Sequence, residues 1–227
     1  MKHPTIHWLL LAATLSWAAR GAVLIPDGDL NGVSDTLNLS TPVTEIGTVT
    51  ITLTFSGVGD GGFNGDLYVT LTHDSGYAVL FNRVGRTGDN TFGYSDSGIS
   101  TVTLADAAAN GDVHNYRLTL LGSHTVPLGG ALTGTWQPDG RAVDPDLVSD
   151  TSSRTATLSS FQRLDPNGDW TLFMADLSSG GQSQLESWSL EITPVPEPAI
   201  GHALAIACCF VLAGVEWLRR SAGGSRA

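Results

Sequence analysis

The chain has 227 residues, a net charge of −11 and two cysteines, Cys208 and Cys209. Between residues 22 and 198 there are 21 Asp and Glu against six Arg and no Lys, a net charge of −15. Such a balance excludes nucleic-acid binding, which needs a basic surface, and disfavours anionic lipid headgroups; it suits divalent cations.

At the N-terminus Lys2 precedes an apolar run from Trp8 to Ala19, broken only by Thr14 and Ser16. A short basic region, an apolar stretch and small residues beyond it predict a secretory signal peptide over residues 1–21, cleaved after Ala18 or Gly21. The exported part then lacks cysteine, so packing rather than cross-links must hold it together.

Residues 22–193 read as one domain. Thr48 to Phe55 alternates, with Val49, Ile51, Leu53 and Phe55 on one face and threonines on the other. Leu67, Val69 and Leu71 repeat the pattern, as do Trp170, Leu172 and Met174, and then Trp188, Leu190 and Ile192. Period-two runs of this composition predict half-buried strands. Shorter strands are expected at Tyr77–Asn82, Ser100–Leu104 and Tyr116–Leu121. Gly57–Gly65 and Asp165–Gly168 carry the Gly, Asn and Asp of turns, and Gly140–Ser153 is expected to be a long surface loop. Many strands separated by turns predict an all-β fold of two packed sheets, with Trp170 and Trp188 in its core.

Pro194 to Pro198 forms a stiff spacer, and Ala199 to Leu218 follows as a largely apolar run. As a helix those residues reach about 30 Å, enough to cross a membrane. Arg219 and Arg220 after the span predict that the domain faces outward, with a basic tail at residues 219–227 on the cytoplasmic side. Val195, Pro196, Glu197 and Pro198, the apolar span and Arg219–Arg220 together resemble the PEP-CTERM sorting signal. That resemblance implies an exosortase as processing partner, a Gram-negative source, and the cell surface or extracellular matrix as destination. A permanent single-span anchor is the competing account.

The domain itself resembles the P domain (P/Homo B domain) of proprotein convertases. The likeness rests on Ile25-Pro26-Asp27 with Gly32-Val33-Ser34, Gly65-Asp66-Leu67, Gly134-Thr135-Trp136 with Pro138, Leu158–Phe161, Asp165 to Leu172, Asp176, and Leu185 to Leu190. It implies a jelly-roll β-sandwich of galactose-binding-like type. In that family the domain follows a subtilisin-like protease. Here about three residues separate the expected leader from Ile25, too few for such a domain. Asp74-Ser75-Gly76 matches one short protease fragment, but no partner motif accompanies it. His73, His114 and His124 have no recognisable catalytic setting. No catalytic activity is expected.

Two acidic turns supply the oxygen ligands that calcium prefers: Asp60, Asn64 and Asp66 in one, Asp165, Asn167 and Asp169 in the other. Both also have a purely local reading, since Asp and Asn stabilise turns through nearby amides. The expected function is that of a non-catalytic surface or matrix module binding polysaccharide or an exported protein. Alternatives are an accessory domain for a separately encoded protease and a structural spacer. Sugar binding requires solvent-facing aromatics on one sheet, for which Tyr68 and Tyr77 are the candidates.

Overall fold

Alternation decides the central strands. In the computed structural model, which describes residues 15–19, 21–59 and 61–196, Val49, Ile51, Leu53 and Phe55 all point into the core. The threonines between them face out, and Thr52 Oγ1 lies 3.0 Å from Thr103 Oγ1 across the strand pair. Among the described residues ten strands form: β1 (Leu15–Ala19), β2 (Val23–Leu24), β3 (Asp29–Leu39), β4 (Ile46–Val58), β5 (Leu67–His73), β6 (Gly76–Asn82), β7 (Ile99–Leu104), β8 (Leu132–Trp136), β9 (Gly168–Asp176) and β10 (Gln182–Pro194).

They make two sheets, one of six strands ordered β1-β10-β4-β7-β8 with β2 also on β10, the other of four ordered β3-β9-β5-β6. All named pairings are antiparallel except β7 with β8. The inner faces supply one continuous core. Trp188, Leu190 and Ile192 of β10 and Ile51, Leu53 and Phe55 of β4 belong to it, with Val69 and Leu71 of β5 and Trp170, Leu172 and Met174 of β9. Trp136, Trp170 and Trp188 are among the largest side chains fully withdrawn from solvent. Each indole N–H finds an acceptor, at the Thr133 carbonyl, the Pro166 carbonyl and Asp35 Oδ2 respectively, so burying these rings leaves no donor unpaired.

Tyr116–Leu121, expected as a strand, is instead a short helix, α1. Its alternating leucines meet no sheet: Leu118, Leu120 and Leu121 stay exposed. What fixes the segment is polar. Tyr116 Oη donates to Asp96 Oδ2 at 2.5 Å and Arg117 Nε donates to the same oxygen at 2.6 Å. Gly122 ends the helix with φ +69°, the left-handed geometry of a glycine cap.

Residues 140–153 have no regular element, yet Arg141 pins them. Its buried guanidinium donates to the Ser149 and Asp150 carbonyls at 2.9 and 2.8 Å and pairs with Asp112 at 2.7 Å. β3 is a strand beyond those expected; it lies at a sheet edge, its exposure alternates only from Val33 to Leu39, and a charged residue, Asp35, holds one of the inward positions there.

The end of the expected leader forms β1, running along β10 with Leu15 opposite Ile192. Beyond β10 the described residues finish at Val195 and Pro196, with the Val195 amide donating to the Glu45 carbonyl. Residues 1–14 of the leader, Asp60, and the tail features Glu197, Pro198, the apolar span and Arg219–Arg220 lie outside the described residues. No helix among the described residues is long and apolar enough to cross a membrane.

Candidate functional site

The two acidic turns occupy opposite ends of β5. Asn64 and Asp66 form the 3₁₀ turn that leads into it, and His73 at its far end touches the Asp165–Asp169 turn. Seven residues of strand separate them, about 23 Å, so the turns do not share a site.

The Asp165–Asp169 turn is closed from within. His73, 3% exposed, places Nδ1 3.0 Å from the Asp169 carbonyl oxygen and Nε2 2.7 Å from that of Asp165. Both acceptors are carbonyls, and a neutral imidazole carries a single N–H, so the ring donates to one of them in either tautomer. Asn167 accepts from the Thr41 amide and donates to the Val43 carbonyl and Asp165 Oδ1. Asp169 Oδ1 accepts from Asn38. The hydrogen bonds from the Asn167 amide and side chain hold the Asp165 carboxyl below its ordinary pKa. Its Oδ1 thus accepts both of these bonds and is engaged in building the turn.

The other turn is different. Asn64 is buried and donates to the Gly98 carbonyl at 3.2 Å. Asp66 is buried beside Arg83, but the guanidinium stands 3.7 Å away. Arg83 turns to Ser178 Oγ at 2.9 Å and Asp146 Oδ1 at 3.2 Å. Burial raises the Asp66 pKa, against the Ser178 hydrogen bond and Arg83, which lower it. Next to this turn β9 delivers Asp176, whose register partner on β5 is Leu67. Asp176 is 0% exposed, and neither carboxylate oxygen has a hydrogen-bond partner. Burial first, then the charges of Asp66 and Asp27, push its pKa up to about 7; the nearby Ser178 and Ser183 amides oppose this only in part. Asp27 is exposed and accepts from the Gly180 amide at 3.2 Å. A cleft of about 630 Å³ opens here, lined among others by Gly28, Phe63, Asp66, Phe92, Ser178 and Ser179.

A third feature covers the outer face of the four-stranded sheet. Thr36, Thr171, Thr72 and Tyr77 stand in one row across all four strands by register. Tyr68 Oη lies 2.9 Å from Tyr77 Oη, and the Tyr68 ring meets Phe173 edge-on at 6.3 Å. Thr36 Oγ1 and Thr171 Oγ1 are 3.1 Å apart. Partial burial and the Tyr77 contact raise the Tyr68 pKa well above its ordinary value, so its phenol stays neutral. Tyr68 and Tyr77 are therefore brought together, with Phe173 added. Phe173 was legible, because alternation through Trp170, Leu172 and Met174 assigns it to the opposite face. Asp27 and Asp176 carried no such signal as partners of Asp66, lying 39 residues before it and 110 after it by their numbers.

The other described histidines, His114 and His124, make polar contacts of their own. His114, fully buried, has Nδ1 2.7 Å from Asp139 Oδ2 and Nε2 2.9 Å from the Arg86 carbonyl. This His–Asp pair thus meets a main-chain oxygen where a triad would hold a nucleophile. His124 Nδ1 lies 2.7 Å from Tyr94 Oη. Burial raises the Tyr94 pKa to about 12.

No family model matches the chain, and no curated protein does so. Among solved structures it is similar to the serine protease of Aeromonas sobria, at 14% identity over 86% of this chain and 28% of that one, with a TM-score of 0.40. The complex of that protease with its chaperone matches at 13% identity, over 81% of this chain and 26% of the other, with a TM-score of 0.41. The chain spans roughly a quarter of those longer chains.

Proposed function

We propose that this chain is a non-catalytic exported module of the P-domain type, displayed at the cell surface or in the extracellular matrix, that binds polysaccharide on the outer face of its four-stranded sheet. The observation that carries the reading is the row Thr36–Thr171–Thr72–Tyr77, with Tyr68 and Phe173 beside it. Aromatic rings offer apolar faces for the C–H faces of sugar rings, and a line of hydroxyls offers donors and acceptors for sugar hydroxyls. The row crosses four strands, about 14 Å, which suits an extended chain lying across the sheet. No carboxylate stands in that row, and the nearest on the same face by parity, Asp169, lies two residues before Thr171. Export through the leader, processing of the Val195–Pro198 tail by an exosortase, and transient anchoring in the inner membrane belong to the same proposal.

The test is co-sedimentation of the full-length chain with extracellular polysaccharide from its own source, beside a neutral β-glucan. Saturable pelleting is expected, and a Tyr68→Ala, Tyr77→Ala double variant is expected to lose it while its unfolding stays cooperative. Equal pelleting of variant and wild type would remove this face from consideration.

A further inference from the structure

A carboxylate withdrawn from water needs a donor, a cation or a proton. Asp176 makes no hydrogen bond of ordinary geometry: both oxygens are buried and unpartnered, and the Ser178 and Ser183 amides nearby offset its burial only in part. Nor does it have a cation of its own. Arg83, the guanidinium in its neighbourhood, is directed to Gly65, Ser178 and Asp146 and stands at 3.7 Å even from Asp66. The charges that do act on Asp176 are negative, those of Asp66 and Asp27. Three carboxylates from the β2–β3 connection, the start of β5 and the end of β9 thus converge on one end of the four-stranded sheet, short of positive charge.

We propose that Asp27, Asp66 and Asp176 form a binding site for one calcium ion. The donors nearby are all oxygens, the three carboxylates together with the hydroxyl of Ser178 beside Asp66. Calcium takes six to eight such ligands in irregular geometry, whereas magnesium demands a near-ideal octahedron. Among the described residues no three acidic, histidine or cysteine side chains already surround one point at coordinating distance. Binding therefore has to draw one of them in, and Asp27 is built to move. It is exposed, sits beside Gly28 in the left-handed region at φ +66°, and is tied through the single amide of Gly180. Asp66 lines the open cleft, which gives the ion a way in. Of the residues that spacing alone put forward, Asp66 is a ligand in this site and the Asp165–Asp169 turn is not part of it. This site is independent of glycan binding on the outer sheet face, since the ion would sit at the sheet's end.

The experiment is isothermal titration of the full-length chain, stripped with chelator, with calcium chloride, paired with thermal melts. One equivalent of calcium per chain is expected, with melting raised by about 5–10 °C at a hundredfold excess over Kd. Asp176→Asn keeps the shape of the side chain and removes its charge, and is expected to weaken binding by at least about tenfold. If that variant does not fold, Asp27→Asn, at an exposed position, gives the same readout. Asp165→Asn serves as the control and is expected to bind as wild type does. Absence of binding by the wild type, or unchanged binding in the Asp176 and Asp27 variants, would overturn the proposal.

Discussion

The imidazole of His73 lies flat on the indole of Trp170, ring centroids 4.1 Å apart and planes within 3°. Phe161 packs on the same indole at 4.9 Å. The histidine therefore joins the sheet core to the Asp165–Asp169 turn, one side stacked and both nitrogens facing turn carbonyls. His73→Ala removes the stacking and the ring's hydrogen bonding to the turn at a buried position and is expected to destabilise the fold by about 2–4 kcal/mol. His73→Phe restores the stacked ring alone and should recover part of that loss. Urea unfolding of both variants checks the division.

Stability should fall with rising pH in the absence of metal. The Asp176 carboxyl has its pKa raised from 3.8 to about 7 in the folded chain. A raised carboxyl binds its proton more tightly when folded, so its contribution is fully present below about pH 4 and is lost as pH rises through about 7. Urea midpoints measured in chelator between pH 5 and pH 8 are expected to decline, and Asp176→Asn to flatten that part of the decline.

Arg141 ties the segment 140–153 to the body of the domain through buried contacts with Asp139 and Asp112. Removing one partner of a buried pair leaves the other charge uncompensated, at a cost of about 3–5 kcal/mol. Arg141→Ala is expected to destabilise by that order and to open the segment between Ala142 and Thr151 to limited proteolysis. The band pattern on a denaturing gel, with and without brief protease treatment, reports it.

Tyr77→Phe deletes one hydroxyl of an exposed pair and should change stability by less than about 0.5 kcal/mol. Glycan pelleting should weaken measurably, because the hydroxyl row loses its end. Unchanged pelleting with Tyr77→Phe but loss with Tyr77→Ala would assign the ring, rather than the hydroxyl, to the contact.

Local pattern carried the architecture a long way. Alternation in β4, β5, β9 and β10 reports burial directly, because a strand places successive side chains on opposite faces and nothing distant alters that parity. It named Trp170 and Trp188 as core and Tyr68 as outward-facing, and the same parity implied Phe173. Where parity met no sheet it misled: Tyr116–Leu121 alternates, yet Asp96 captures Tyr116 and Arg117 and the backbone coils. Charge patterning was equally local. It marked Asp165, Asn167 and Asp169 by their spacing, but only the fold reveals that His73, far away in sequence, engages the carbonyls of that turn. The convergence of Asp27, Asp66 and Asp176 belongs wholly to tertiary structure. Their proximity follows from strand order, β9 lying between β3 and β5, and sequence spacing encodes the parity of a strand but not the identity of its neighbours.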